Sequence, residues 1–287
     1  MIGDWMMAGP GKLYIVATPI GNLEDITVRA MRVLGEVSLI AAEDTRRTRI
    51  LLNHYDIQTP LTSLYEQNES IKTPSLINKI KDGQHIAYVT DAGTPAISDP
   101  GYLLVHHAIE AGIEVVPIPG ASALITALSV SGLPMDHFVF QGFLPEKKGK
   151  KKAALLSIKD DARTQIFYES PNRLLATLKD IMDLLGNRFV VVARELTKVY
   201  EEVVRGNVAE VMHAFEGRTI KGEITLVLAG KKEEAVELDP EASIKERFDL
   251  LSAQGNVTRR DLVESIAADL ALPRKLVYDT VHRLCKE

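Results

Sequence analysis

An α/β fold, repeated in a second α/β half and closed by a helical tail, is predicted by three observations. Short apolar runs at 13–17, 37–42, 86–89 and 113–117 each end in a polar or Gly/Pro turn and then enter a helical pattern. One of these turns, TDAGTPAISDPG at 90–101, packs prolines, glycines, aspartates and hydroxyls more densely than a plain connection needs. The stretch 241–287 loses strand periodicity and keeps only helical spacing.

In chain order, MIGDWMMAGPG at 1–11 reads as an unstructured extension or alternative start. From 12 to 141 the runs above alternate with helices around 28–34, 45–52, 71–81 and 121–130, which calls for a largely parallel sheet. GFLPEKKGKK breaks the pattern and reads as a hinge, so a second α/β domain is placed at 142–231. Its strands fit 164–168, 189–193, 200–205 and 223–228, and its helices 172–185 and 207–215, the first started by Pro171. KKEEAVELDP at 231–240 is acidic, ends in proline and has linker composition. In the tail domain, 241–287, Phe248, Leu250 and Leu251 suit one helix. Leu262, Val263, Ile266 and Leu270 suit a second, capped by Thr258, and Leu276, Val277, Val281 and Leu284 a third after the Leu272–Pro273 turn. This spacing matches helix-turn-helix geometry, and equally a small packed bundle; its arginines are interleaved with acids.

At 287 residues, 46% hydrophobic and 25% charged, the composition is that of an ordinary globular protein. One cysteine, Cys285, excludes an intramolecular disulfide and a cysteine-built metal site. With neither a signal peptide nor a membrane-length apolar run, a cytoplasmic location is expected. The seven histidines show no metal-ligand spacing, and no metal is expected. A net charge of −5 argues against a nucleic-acid ligand, but net charge does not describe its distribution. KKGKKK at 147–152 is the conspicuous local exception.

Taken together, VATPIGNLEDIT, EDTR, TDAGTP, ISDPG, PIPGASA, FYESPNR, RELTK and KGEITLVLAG resemble the small-subunit ribosomal RNA methyltransferase I family of the tetrapyrrole-methylase-like superfamily. The resemblance runs in order from about Lys12 to Gly230. It implies two α/β domains of tetrapyrrole-methylase type with the cofactor cleft between them, and a homodimer. It further implies methyl transfer from S-adenosylmethionine to the ribose 2′-oxygen of a cytidine in 16S rRNA of the small ribosomal subunit, near the decoding site.

That cofactor is a sulfonium without phosphate. The absence of GxxxxGK[ST], and of GxGxxG after the first strand, accords with it. Ala92, Gly93 and Thr94 permit close backbone approach and fall on the superfamily's cofactor loop, where many relatives carry Asp in place of Thr94. Ile97, Ser122 and Ala123 match further cofactor-contact positions, and Pro19 lies in the first loop. Asp91 reads as a cofactor or substrate contact, or as an Asx turn within its own loop. A ribose hydroxyl needs a proton acceptor. Asp44, then Glu43, are the carboxylates placed for it, unless they cap the helix that follows or pair with Arg46 and Arg47. Arg46, Glu169 and Arg173 are candidate RNA contacts, with an ion pair as the alternative reading of Glu169 and Arg173. Glu195 and Lys198 stand the same way. Lys147 and Lys148, in the lysine run, suit RNA phosphates, or solvent alone. Two other functions stay open: methylation of a corrin or porphyrin precursor, and a cofactor-sensing nucleic-acid-binding regulator whose tail binds.

Overall fold

Alternation along β1 (Lys12–Val16) divides its side chains between two layers, with Tyr14 and Val16 in one and Leu13 in the other. The computed structural model describes residues 10–232, 240–252, 258–270 and 272–284. In chain order the first sheet's elements continue with α1 (Val28–Glu36), β2 (Leu39–Ala42), α2 (Thr45–His54), β3 (Leu61–Ser63) and α3 (Glu69–Lys81). β4 (Ile86–Val89), α4 (Tyr102–Glu110) and β5 (Glu114–Ile118) complete it. The strands are parallel throughout, in the order β3-β2-β4-β1-β5. Val33, Leu34, Leu51 and Leu52 of α1 and α2 cover one face. Leu76, Ile77, Ile80 and Leu104 of α3 and α4 cover the other. Covered on both faces, β4 is buried at every position.

Helix α5 (Ala123–Ser129) leads into a second sheet of β6 (Phe138–Phe143), β7 (Thr164–Glu169), β8 (Phe189–Arg194), β9 (Glu202–Asn207) and β10 (Ile224–Leu228). Its order is β6-β7-β10-β8-β9. Only β6 and β7 run parallel as neighbours, because β10 enters antiparallel between β7 and β8, and β9 returns antiparallel beside β8. Helices α6 (Lys148–Ser157), α7 (Leu174–Leu185) and α8 (Val208–Phe215) pack on one face. Leu124, Ala127 and Leu128 of α5 and Ile20 from the first sheet's loop pack on the other, so the two sheets share one compact unit that reaches Lys231.

Three expectations need correction. The hinge expected from Gly142 onward is strand and helix: β6 crosses the 141/142 boundary and pairs Phe138 with Thr164, and the lysine run forms the start of α6. Glycine and proline marked the segment as a loop, yet a half-buried edge strand tolerates them. Strand β3 escaped the pattern because three residues, LTS, carry no period. Gly11, read as extension, is buried, with the Ile80 and Gln84 carbonyls against its Cα. The rest of that extension, residues 1–9, lies outside the described residues, as do 233–239 of the expected linker and Cys285.

The residues from Lys232 onward form a second unit. Helices α9 (Pro240–Ser252), α10 (Arg259–Asp269) and α11 (Arg274–Leu284) enclose Ile244, Val263, Ile266, Val277 and Val281. Thr258 caps α10 by accepting from Asp261 N at 3.3 Å. Its cations are drawn into pairs within the unit, Arg247 with Asp269 and Arg274 with Glu264.

One buried carboxylate organises the N-terminus of α4. Glu69, 6% exposed, accepts with Oε1 from the backbone N–H groups of Gly101 (3.0 Å), Leu103 (2.9 Å) and Leu104 (3.2 Å). No side chain of α4's own cap does this work. Replacing Glu69 by alanine strands these donors, and a loss of about 2–3 kcal/mol in urea unfolding is expected. Glu69→Gln, which keeps an acceptor, is expected to lose about half as much.

Candidate active site

The loops that leave β1, β4 and β5 converge at the carboxyl edge of the first sheet, where open α/β sheets hold ligands. Thr18 and Gly93 exchange both backbone hydrogen bonds, Thr18 N to Gly93 O at 2.9 Å and Gly93 N to Thr18 O at 3.0 Å. Gly93 adopts φ +79°, a conformation that Cβ-bearing residues seldom take. Two further residues of this loop, Ala96 at φ 67° and Ser98 at φ 63°, hold the same left-handed region at a cost in strain. Thr94 Oγ1 donates to Ala121 O at 3.3 Å and ties the loop to the one after β5.

These loops form one wall of a cavity of about 380 Å³, within the size range of small-molecule sites. Asp91, Ala92, Gly93, Thr94, Ile97, Asp99, Ser122 and Ala123 line it on this side, with Ile20 and Arg47. The second sheet supplies the facing wall: Phe143 at the end of β6, Tyr168 to Pro171 at the end of β7, Ala193 and Leu196 after β8, and residues 222–225 at the start of β10. The turn after β8 crosses to the first sheet, where Thr197 Oγ1 accepts from Asn22 N at 3.0 Å.

Carboxylates dominate the electrostatics. The loops that carry Glu43 and Asp91 are bonded in both directions, Asp91 N donating to Glu43 Oε2 (3.3 Å) and Asp44 N to Asp91 Oδ1 (3.1 Å). Burial raises the Glu43 carboxyl above its usual range. Burial, then the Glu43 charge, pushes Asp99 up to about 6, against the pull of the Thr90 hydroxyl. Arg47 Nη1 lies 3.2 Å from Asp91 Oδ2 and is the one cation among the described residues of the lining. Such a lining suits a cationic ligand whose backbone-facing side needs room more than it suits a phosphate.

The structure thus brings Asp91, Ala92, Gly93, Thr94, Ile97, Ser122, Ala123 and Glu169 to one cavity. Asp91 bonds across to the neighbouring loop, not to its own. Pro19 is buried beside the lining, where its neighbour Ile20 takes the cavity position.

Other expected site residues lie elsewhere. Asp44 caps α2 by accepting from Arg46 N at 2.8 Å and binds the Arg46 guanidinium at 2.8 and 3.1 Å. Those bonds hold its carboxyl down at about 2, which makes it a poor proton acceptor. Neither Asp44 nor Glu43 lines the cavity. Arg46 points to solvent with 89% of its side chain exposed, and Arg47, about 100° further round α2, reaches the cavity instead. Lys147 and Lys148 are exposed and off the lining. Arg173 pairs with Glu169 at 3.3 Å, and Lys198 with Glu195 at 2.7 Å and Glu223 at 3.0 Å. Sequence reasoning passed over Asp99, Arg47, Phe143 and Tyr168. For Asp99 the signal was there, as the second aspartate of the same loop, placed before Pro100.

Residues 12–212 match the family Tetrapyrrole (Corrin/Porphyrin) Methylases. A protein of Halalkalibacterium halodurans named ribosomal RNA small subunit methyltransferase I is 47% identical over 281 residues, covering 95% of each chain. One of the same name from Escherichia coli O157:H7 is 51% identical over 81% of this chain and 82% of its own. Another, from Thermotoga maritima, is 51% identical and is matched along 100% of its length by 77% of this chain. Among solved structures, a cobalt precorrin-4 methyltransferase superposes with a TM-score of 0.59 at 16% identity, covering 76% of this chain and 94% of that one. A uroporphyrin-III C-methyltransferase from Thermus thermophilus gives 0.54 at 21%, over 76% and 94%. At those identities the likeness concerns the fold.

The raised Asp99 has a sign that stability measurements can read. Its native carboxyl holds a proton up to about pH 6, whereas an unfolded aspartate releases it near 4. Wild type should therefore lose stability relative to Asp99→Asn as pH rises from about 4 to about 6, and the difference should stay level above that. Paired urea titrations across this window check it.

Proposed function

This chain belongs to the tetrapyrrole (corrin/porphyrin) methylase family and, within it, to the ribosomal RNA small subunit methyltransferase I proteins; from that premise we propose that it methylates the ribose 2′-oxygen of a cytidine in 16S rRNA, near the decoding site, with S-adenosylmethionine as donor. The observation that carries the reading is the cavity itself. A wall of small residues and tightly bonded backbone, which carries Asp99 with its raised pKa, faces a wall of polar and aromatic side chains.

S-adenosylmethionine, when bound, supplies an electrophilic methyl group on a sulfonium. The residues present suit it. Ala92, Gly93 and Thr94 with Ser122 and Ala123 would hold it, because these small residues leave the backbone of the wall open to a ligand and Gly93 alone of them takes the left-handed φ of +79°. Asp91, steadied by Arg47 and by Asp44 N, sets negative charge beside a cationic ligand. No lysine stands among the described residues of the lining, where a nucleoside triphosphate site of the P-loop kind would place one.

Asp99 takes the proton-accepting role expected of Asp44 or Glu43. With its pKa near 6 it would be mostly ionised at neutral pH and still basic enough to accept the proton of a ribose hydroxyl. Glu43 acts behind it: its charge raises Asp99, and its Oε2 orients the backbone of Asp91. Arg47, paired with Asp91 at the cavity but with most of its side chain exposed, is placed for a phosphate of the incoming strand. We further propose a cytoplasmic homodimer that acts on the small ribosomal subunit.

The reading is tested with labelled S-adenosylmethionine and small subunits from a strain lacking this gene. Label in one 16S nucleotide, with alkali resistance on its 3′ side, is the expected result. Cofactor binding without label in subunits or naked rRNA would turn the assignment toward tetrapyrrole substrates. In the same assay Asp99→Asn is expected to lower kcat by about 100-fold or more, and to abolish the rise in rate through pH 6. Asp44→Asn should stay within about threefold of wild type; a loss as large as that of Asp99→Asn would return the base to Asp44.

A further inference from the structure

Strand β6 carries a bulge: its pairing with β7 slips between Phe140 and Gly142, and Gly142 takes φ +66°. A bulge bends its strand and re-aims the side chain that follows. That side chain is Phe143, which lines the cavity and remains 55% exposed. Its ring lies 5.6 Å from that of Tyr168, tilted by 59°, and more than half of the residue stays exposed. A lone exposed apolar side chain on an open surface needs no explanation, but this one lines the cavity of the candidate site.

The backbone on either side of the ring is fixed. On one side the bulge meets the first sheet's loop, since a Cβ on Gly142 would lie 3.4 Å from Ser98 Oγ. On the other, Leu144 is 4% exposed and its carbonyl accepts from Arg173 Nη2 at 2.6 Å. Arg173 is set by Glu169, whose Oε2 accepts from Thr177 Oγ1 at 2.6 Å, and Thr177 accepts in turn from Lys151 Nζ at 2.9 Å. Lys151, the buried member of the lysine run, thus joins a polar chain that braces the ring and continues to Asp180 Oδ2 at 2.7 Å. A ring ordered during folding adds little entropic cost on binding.

We propose that Phe143 is the platform on which an unpaired base of the RNA substrate stacks as its ribose enters the cavity. This rests on the functional reading above. Chemistry on one nucleotide of a folded RNA requires that nucleotide to leave its stack, and a bare ring then replaces the lost neighbour. The ring stands on the wall supplied by the second sheet, across from the small residues that admit the cofactor.

The test uses Phe143→Ala, Phe143→Leu and Phe143→Trp in the full-length protein. Binding of a fluorescein-labelled 16S fragment spanning the decoding region is measured alongside KM for small subunits and calorimetric S-adenosylmethionine affinity. Ala and Leu are expected to weaken RNA binding and raise KM about tenfold, Trp to restore both, and cofactor affinity to stay within about twofold throughout. Loss of cofactor affinity with RNA affinity intact would assign the ring to the cofactor and overturn the proposal. So would a Leu variant that binds RNA as well as wild type, or no change in any variant. Unlabelled subunits with wild type would overturn the functional reading alone, since fragment binding still decides the ring's role. A wild type that binds neither RNA overturns both.

Discussion

The site depends on a pair of backbone hydrogen bonds between Thr18 and Gly93, which joins the loop after β1 to the loop after β4. β1 and β4 are adjacent, but their pairing ends below this point, and without the extra bridge two long loops would part at the edge of the sheet. The bridge forms because Gly93 accepts a left-handed backbone, and the same loop continues through two strained residues before Glu69 catches its end. Anchored at both ends, the loop can hold Asp91 and Asp99 toward the cavity while its backbone stays accessible. Strain in a loop so constrained is sustained by the packing around it.

The two sheets contribute different materials. The parallel sheet offers loops, small residues and carboxylates at its carboxyl edge, and the mixed sheet offers side chains from strand ends and a buried polar chain from Lys151 to Arg173. Helix α5 unites them, because it begins at the cavity with Ala123 and buries Leu124, Ala127 and Leu128 against the second sheet. A shift of either sheet would therefore be felt in the cavity. The negative charge of the chain is also concentrated usefully. Burial in the cleft, and after it the charge of neighbouring carboxylates, raises Glu43 and Asp99, so an aspartate reaches the range suited to proton transfer. Arg46 holds Asp44 ionised, and Arg47 pairs with Asp91.

Much of this was legible in the chain. The β1, β2, β4 and β5 runs, the helices between them, and the loop 90–101 all announced themselves through period and turn chemistry, because each is a local property. The family resemblance pointed to small residues such as Ala92, Gly93 and Ala123, which do meet at the cavity. The second sheet was read less well. Its mixed strand directions depend on β10 entering between β7 and β8, a long-range pairing that leaves no mark on local spacing. The lysine run looked uniform, yet one helical turn separates exposed Lys148 from buried Lys151.

By itself, the sequence determined the alternation of elements, the positions of the turns and the set of residue types available for chemistry. Periodicity and turn propensity act between neighbours in the chain, so they can be read there. Only the tertiary structure separated the carboxylates by their surroundings. Asp44 and Asp99 are equivalent as residues, but a guanidinium beside the first lowers its pKa, while burial beside another charge raises that of the second. It decided likewise that Arg47 and not Arg46 faces the cavity, and that a bulge in β6 bares the Phe143 ring. Solvation and charge at a site are set by what folds around it, and those neighbours come from far along the chain.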